Sequence, residues 1–122
     1  HRQKKEVSFV IIPRGEVAGR IGLHHLNLAP KTGAIGYWLG KKAEGQGIIT
    51  RSCTELIRFG FLELGLNRIE IRASVKNFRS QAIAERLHFK KEGILRQAEC
   101  VNSEFIDLVL FSILKDEWEL KN

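Results

Sequence analysis

The sequence predicts a mixed α/β (α+β) domain, a single sheet with helices packed on it. Three observations carry the prediction. Three short strand-like runs open the chain, the apolar period then switches to helical spacing, and alternating strand-like runs follow with a second helix among them. At 122 residues, with 43% apolar and 28% charged residues, residues 1–122 form one domain with a single core.

Residues 7–12 form a short apolar run closed by Pro13-Arg14-Gly15-Glu16, where proline presets φ and glycine accepts a positive one. Residues 17–25 read as the partner strand of a hairpin, residues 29–33 as a loop, and residues 34–39 as a third strand. Three strands with short turns predict an antiparallel meander. Ile49, Cys53, Leu56, Ile57, Gly60, Phe61 and Leu64 then share one stripe of a helix, and Gly65 is its stop. Residues 68–74 alternate cleanly and read as a half-buried strand. Asn77 and Ser80 are both N-cap candidates for a second helix, in which Ala82, Ile83 and Leu87 face inward. Lys90-Lys91-Glu92-Gly93 reads as a turn, residues 93–100 as a strand, residues 101–104 as a connection and residues 105–114 as a buried strand.

Charge and composition narrow the function. A net charge of +6 favours an anionic ligand or a nucleic-acid-rich setting through its long-range field. No aromatic-interleaved basic motif accompanies it, so a solvated basic surface is preferred and no direct nucleic-acid binding is expected. No apolar run approaches the roughly 20 residues of a membrane span and no signal peptide opens the chain, so a cytoplasmic protein is expected. Cys53 and Cys100 lack metal-ligand spacing and read as reduced structural thiols. His24 and His25 are strand neighbours whose side chains point to opposite faces and cannot chelate together. No metal is expected. A chain that begins at His1 and contains no methionine reads as an excerpt of a longer protein.

The most informative stretch runs Tyr37-Trp38-Leu39-Gly40-Lys41-Lys42-Ala43-Glu44-Gly45-Gln46-Gly47-Ile48: a strand end, a polar loop with paired glycines, then a helix start. A helix N-terminus leaves backbone N–H groups unpartnered and partly positive. Glycines there let the backbone approach a ligand closely, which makes the loop a candidate pyrophosphate cradle; a plain turn is the competing reading.

With the segments in this order, the chain resembles the GNAT superfamily of acyl-CoA-dependent N-acetyltransferases. Within it, the chain resembles the ribosomal-protein N-acetyltransferases of the RimJ/RimL type. The pyrophosphate motif Q/R-x-x-G-x-G/A stands here as Lys42-Ala43-Glu44-Gly45-Gln46-Gly47, with lysine in the place of Gln or Arg. Gly36-Tyr37-Trp38-Leu39-Gly40 looks like the strand that ends at the cofactor. Asn77-Phe78-Arg79-Ser80-Gln81-Ala82 with Leu87-His88-Phe89-Lys90-Lys91-Glu92-Gly93 matches a second signature, in which His88 replaces the usual glycine. Leu95-Arg96-Gln97-Ala98-Glu99 and Phe105-Ile106-Asp107-Leu108-Val109 match the C-terminal strands of the RimL type. The resemblance implies a mostly antiparallel mixed sheet, here lacking the family's N-terminal strand and helices on the acceptor side.

It also implies direct transfer of acetyl from acetyl-CoA to a primary amine within a ternary complex. The acceptor would be a protein N-terminal α-amino group of the ribosomal-protein type; a polyamine, an aminoglycoside-type amine, or a non-catalytic CoA-binding role are the alternatives. Backbone around Trp38, Leu39 and Gly40 would polarise the thioester oxygen, and amides of Gly45, Gln46, Gly47 and Ile48 would hold the pyrophosphate, with Lys42 adding a point charge. Asn77 would bond the pantetheine arm, Ser80 would be the acid for the departing thiolate, and Glu99 the general base, directly or through water. Each has a plainer competing role: a cap for Asn77 and Ser80, a surface charge for Lys42 and Glu99. A homodimer is also expected.

Overall fold

The computed structural model describes residues 6–11, 19–39 and 47–121. Along them run β1 (Val7–Ile11), β2 (Gly19–Asn27), β3 (Thr32–Leu39), α1 (Ile48–Leu62), β4 (Arg68–Ser74), α2 (Phe78–Arg86), β5 (Lys90–Val101), β6 (Glu104–Leu114) and α3 (Lys115–Lys121). The strands form one sheet in the order β1-β2-β3-β4-β6-β5. The expected turn at residues 13–16 lies outside the described residues.

β1, β2 and β3 make the expected antiparallel meander, with Val7 opposite Leu23 and Leu23 opposite Ile35. β3 and β4 are parallel. A parallel pair needs a crossover, and α1 supplies it. β6 then pairs antiparallel with both β4 and β5. The sheet is therefore mixed and mostly antiparallel, as expected.

One core joins sheet and helices. Its sheet side includes Leu23, Ile35, Ile69, Ile71, Val109 and Phe111; its helix side includes Cys53, Leu56, Ile57 and Phe61 of α1 and Ile83 of α2. The stripe expected on α1 is the buried one, except that Leu64 lies past the helix and is only partly buried. Gly60 sits where α1 approaches the sheet: a Cβ there would come 3.0 Å from Ile69 Cδ1 and 3.2 Å from Leu23 Cδ1. On β4, Ile69, Ile71 and Ala73 are buried while Arg68, Glu70 and Arg72 point to the other face.

Three sequence expectations need correction. Residues 90–93 are the start of edge strand β5, not a turn. Exposure of nearly all of β5 removes the alternation that marks a half-buried strand. Ser80 is the third residue of α2, not its cap; Asn77 alone caps it. Finally α3 was not expected, and it is fastened through Trp118, whose ring lies 5.2 Å from that of Phe61. β5 is also broken twice in register, between Lys91 and Gly93 and between Leu95 and Glu99, and Gln97 in the second break has φ of 47°.

Candidate active site

The site lies where β3 and β4 part. Their pairing runs from Thr32↔Arg68 to Ile35↔Ile71 and stops there, although both strands continue. Residues 36–39 stay paired with β2, and residues 72–74 with β6. The C-terminal ends of two parallel strands thus open a gap, the usual place for a ligand in a sheet of this kind. Both α1 and α2 follow these strand ends, so their N-termini lie at the same end of the sheet.

α1 begins at Gly47, which has φ of +71° and gives no side-chain cap. A left-handed residue suits glycine, and the absence of a capping side chain leaves the first-turn amides facing outward. The helix hydrogen bonds start with Arg51 N–H to the Gly47 carbonyl at 3.2 Å. Ile48 buries its side chain in the core, so only its backbone can serve a ligand. Gly40, Lys42, Gly45 and Gln46 lie outside the described residues; for Trp38 and Leu39 only the backbone, within β3, is described.

α2 is fixed at its start. Asn77 Oδ1 accepts the Ser80 N–H at 3.1 Å, which leaves the Asn77 amide hydrogens free to donate. Gln81 Nε2 donates to the carbonyls of Ser74 and Val75 at 3.0 and 3.1 Å, tying the helix to the end of β4. Arg86 Nη1 reaches Thr50 Oγ1 at 3.2 Å and links α2 to the first turn of α1.

Across the gap, Tyr37 Oη of β3 lies 2.5 Å from Ser80 Oγ. Burial pushes the Tyr37 phenol above its ordinary value, partly offset by the Ser80 hydrogen bond. The sequence places Tyr37 only on the strand that ends at the cofactor; no spacing rule links residues 43 positions apart.

Glu99 lies on β5 opposite Ile106. Two residues further along β6, Leu108 faces Ser74, the last residue of β4, so Glu99 sits past the C-terminal end of β4 at the end where α2 begins. It is exposed. The strand order sets it three strands from β3. Tyr37, Asn77 and Ser80 are brought together through the two hydrogen bonds of Ser80, neither of which involves Glu99. Between β4's end and the β5–β6 hairpin opens a pocket of about 330 Å³ lined by Ser74, Lys76, Gln97, Phe105 and Asp107, among others.

Among the described residues no group of three His, Cys, Asp or Glu side chains could hold a metal, and no helix is long and apolar enough to cross a membrane. His24 Nδ1 instead pairs with Glu6 Oε1 at 3.0 Å. Burial pushes the Cys53 thiol up to about 12, which keeps it in its unreactive form.

A mixed sheet with a parallel pair opening over two helix N-termini defines the class, and comparison with known proteins gives the family. The model of the acetyltransferase (GNAT) domain matches residues 1–90. The chain belongs to the GNAT acetyltransferase family. It is 47% identical over 105 residues to YdaF of Bacillus subtilis (strain 168), provisionally named a ribosomal N-acetyltransferase, covering 86% of this chain and 57% of that one. Among solved structures, RimL, described as the ribosomal L7/L12 alpha-N-protein acetyltransferase in complex with coenzyme A, superposes with a TM-score of 0.87 at 30% identity, over 93% of this chain and 64% of that one. The microcin C7 self-immunity acetyltransferase MccE, in complex with acetyl-CoA and AMP, gives 0.85 at 33% identity, over 90% and 61%. The chain spans about three-fifths of the length of these relatives.

Proposed function

We propose that the chain carries the donor side of an acetyl-CoA-dependent N-acetyltransferase whose acceptor is a protein N-terminal α-amino group, by direct attack within a ternary complex. The observation that carries the reading is the parting of β3 and β4 beneath an uncapped α1 N-terminus, with Ser80 beside the gap. Kinship to RimL, which was solved with coenzyme A, favours the same donor and a ribosomal-protein acceptor.

The first-turn amides of α1, with Gly45, Gln46 and Lys42 before them, hold the pyrophosphate. Asn77 donates its side-chain amide to the pantetheine arm while its oxygen keeps the cap. Backbone N–H groups at the end of β3, around Trp38, Leu39 and Gly40, polarise the thioester oxygen. The amine nitrogen bonds to the acetyl carbon as the carbon–sulfur bond breaks. One proton leaves the nitrogen toward Glu99, directly or through water. The departing sulfur takes one from the Ser80 hydroxyl, which water restores.

Calorimetric titration of the full-length protein with acetyl-CoA tests the donor side, with Gly47→Glu as control. Saturable binding that the variant loses is expected, since a side chain at φ +71° is strained and a carboxylate repels the anion. A folded protein that binds no acetyl-CoA would overturn the reading. Acetylation of a ribosomal-protein fraction, set against a panel of polyamines and aminoglycosides, tests the acceptor; activity on the small amines alone would replace the protein acceptor with them.

A further inference from the structure

We infer that Tyr37 is the positioning residue of Ser80: its phenol donates to Ser80 Oγ and so turns the serine's own hydrogen into the gap between β3 and β4. The inference rests on the reading of Ser80 as proton donor to the departing sulfur.

Two hydroxyl oxygens 2.5 Å apart share one hydrogen between them. A hydroxyl has one hydrogen and two lone pairs, so whichever oxygen donates in this contact has none left for a third atom. A phenol is the more acidic hydroxyl and the better donor. Burial of Tyr37 keeps it protonated, and the groups that act on it electrostatically, Cys53 and Arg79, do so less than burial does. With Tyr37 donating, the Ser80 hydrogen is free to point at a thiolate. Were Ser80 the donor to Tyr37, it would have no proton to offer.

The surroundings hold Ser80 still while Tyr37 aims it. The Ser80 backbone is fixed by the Asn77 cap, and the start of α2 is tied to β4 through Gln81. A side chain in a helix has few open rotamers, and the contact from β3 selects among them. Tyr37 keeps its own proton throughout and touches no reacting atom, so it acts only through Ser80. The contact crosses the gap at a level where no backbone pairing joins β3 to β4.

The test compares Tyr37→Phe, Ser80→Ala and the double variant in the full-length protein. Loss of one aiming hydrogen bond is expected to lower kcat about tenfold in Tyr37→Phe. KM for acetyl-CoA should stay within about twofold, and Tyr37→Phe should cost nothing further in the Ser80→Ala background. Full activity of Tyr37→Phe beside an impaired Ser80→Ala would overturn the inference and leave the role of Ser80 standing. Full activity of Ser80→Ala would sink both. A second readout needs no turnover: the phenolate absorbance titration of the native full-length protein is compared with that of Ser80→Ala, the difference between them reporting Tyr37, the single tyrosine of residues 1–122. A phenolate takes a stronger hydrogen bond from Ser80 than the phenol does. Ser80→Ala should therefore raise the titration midpoint. An unchanged midpoint would mean that the two hydroxyls do not meet in solution, and the inference would fail even if Tyr37→Phe did not fold.

Discussion

Asn77 and Ser80 face each other across the first turn of α2, the Asn77 side-chain oxygen accepting the Ser80 backbone N–H at 3.1 Å. Asn77 thereby caps the helix, in the proposed function it also holds the pantetheine arm, and two substitutions separate the roles. Asn77→Ala should cost about 1 kcal/mol, or about 4 °C in melting temperature. Asn77→Asp keeps an acceptor at a helix N-terminus and should melt like the native protein, yet it has no amide hydrogen to donate. Its affinity for acetyl-CoA should fall by calorimetry. Native affinity in Asn77→Asp would remove Asn77 from the cofactor site.

Acid stability should depend on Glu92. The Arg68 guanidinium and then the Ser112 hydroxyl hold its carboxyl at about 2, against an ordinary value of 4.5. A carboxyl depressed in the folded state adds stability above its unfolded value, and that contribution is lost as pH falls from about 4.5 toward 2. Because the side chain is 35% exposed, the contribution is discounted to about 1 kcal/mol. Urea midpoints of the native protein should drop between pH 5 and pH 3 more steeply than those of Glu92→Gln. Parallel curves would show that the pair contributes nothing in solution.

The two thiols should separate by reactivity. Cys53 is fully buried with its thiol raised to about 12, whereas Cys100 is exposed on β5. A thiol reagent at pH 8 should label one cysteine per native chain and the second only in denaturant. Two rapid equivalents in the native state would mean that α1 opens from the sheet.

Phe61 is 1% exposed, and its ring meets Trp118 of α3. Phe61→Ala should cost about 3–5 kcal/mol and red-shift the tryptophan emission as α3 loosens. An unshifted spectrum would show that α3 is held by other contacts.

Much of this architecture was legible because burial leaves a period. Ile49, Cys53, Leu56, Ile57 and Phe61 recur at helical spacing, and Ile69, Ile71 and Ala73 alternate, since each set faces one core. The start of β5 carries no such mark, because residues 90–92 are exposed and Gly93 contributes no side chain. α3 is short, and with Leu120 left 88% exposed it rests on Trp118, too little for a pattern. At the site, the capping role of Asn77 could be read locally from its offset to Ser80. The Tyr37–Ser80 contact could not, because it depends on how far β3 and β4 diverge, a property of the sheet and not of any segment.

The broken register of β5 bears on how the molecule avoids sticking to itself. β5 is twelve residues long and stands at the rim of the sheet, where one side of its backbone has no neighbouring strand among the described residues. A straight rim of that length would let another chain zip alongside it. Gly93 with φ of 153° and Gln97 with φ of 47° interrupt the row, and Lys90, Lys91 and Arg96 set positive charge along it. An intruding strand meets a twisted, charged border with only a few consecutive bonding positions, so the rim discourages fibrous association while staying open beside the pocket.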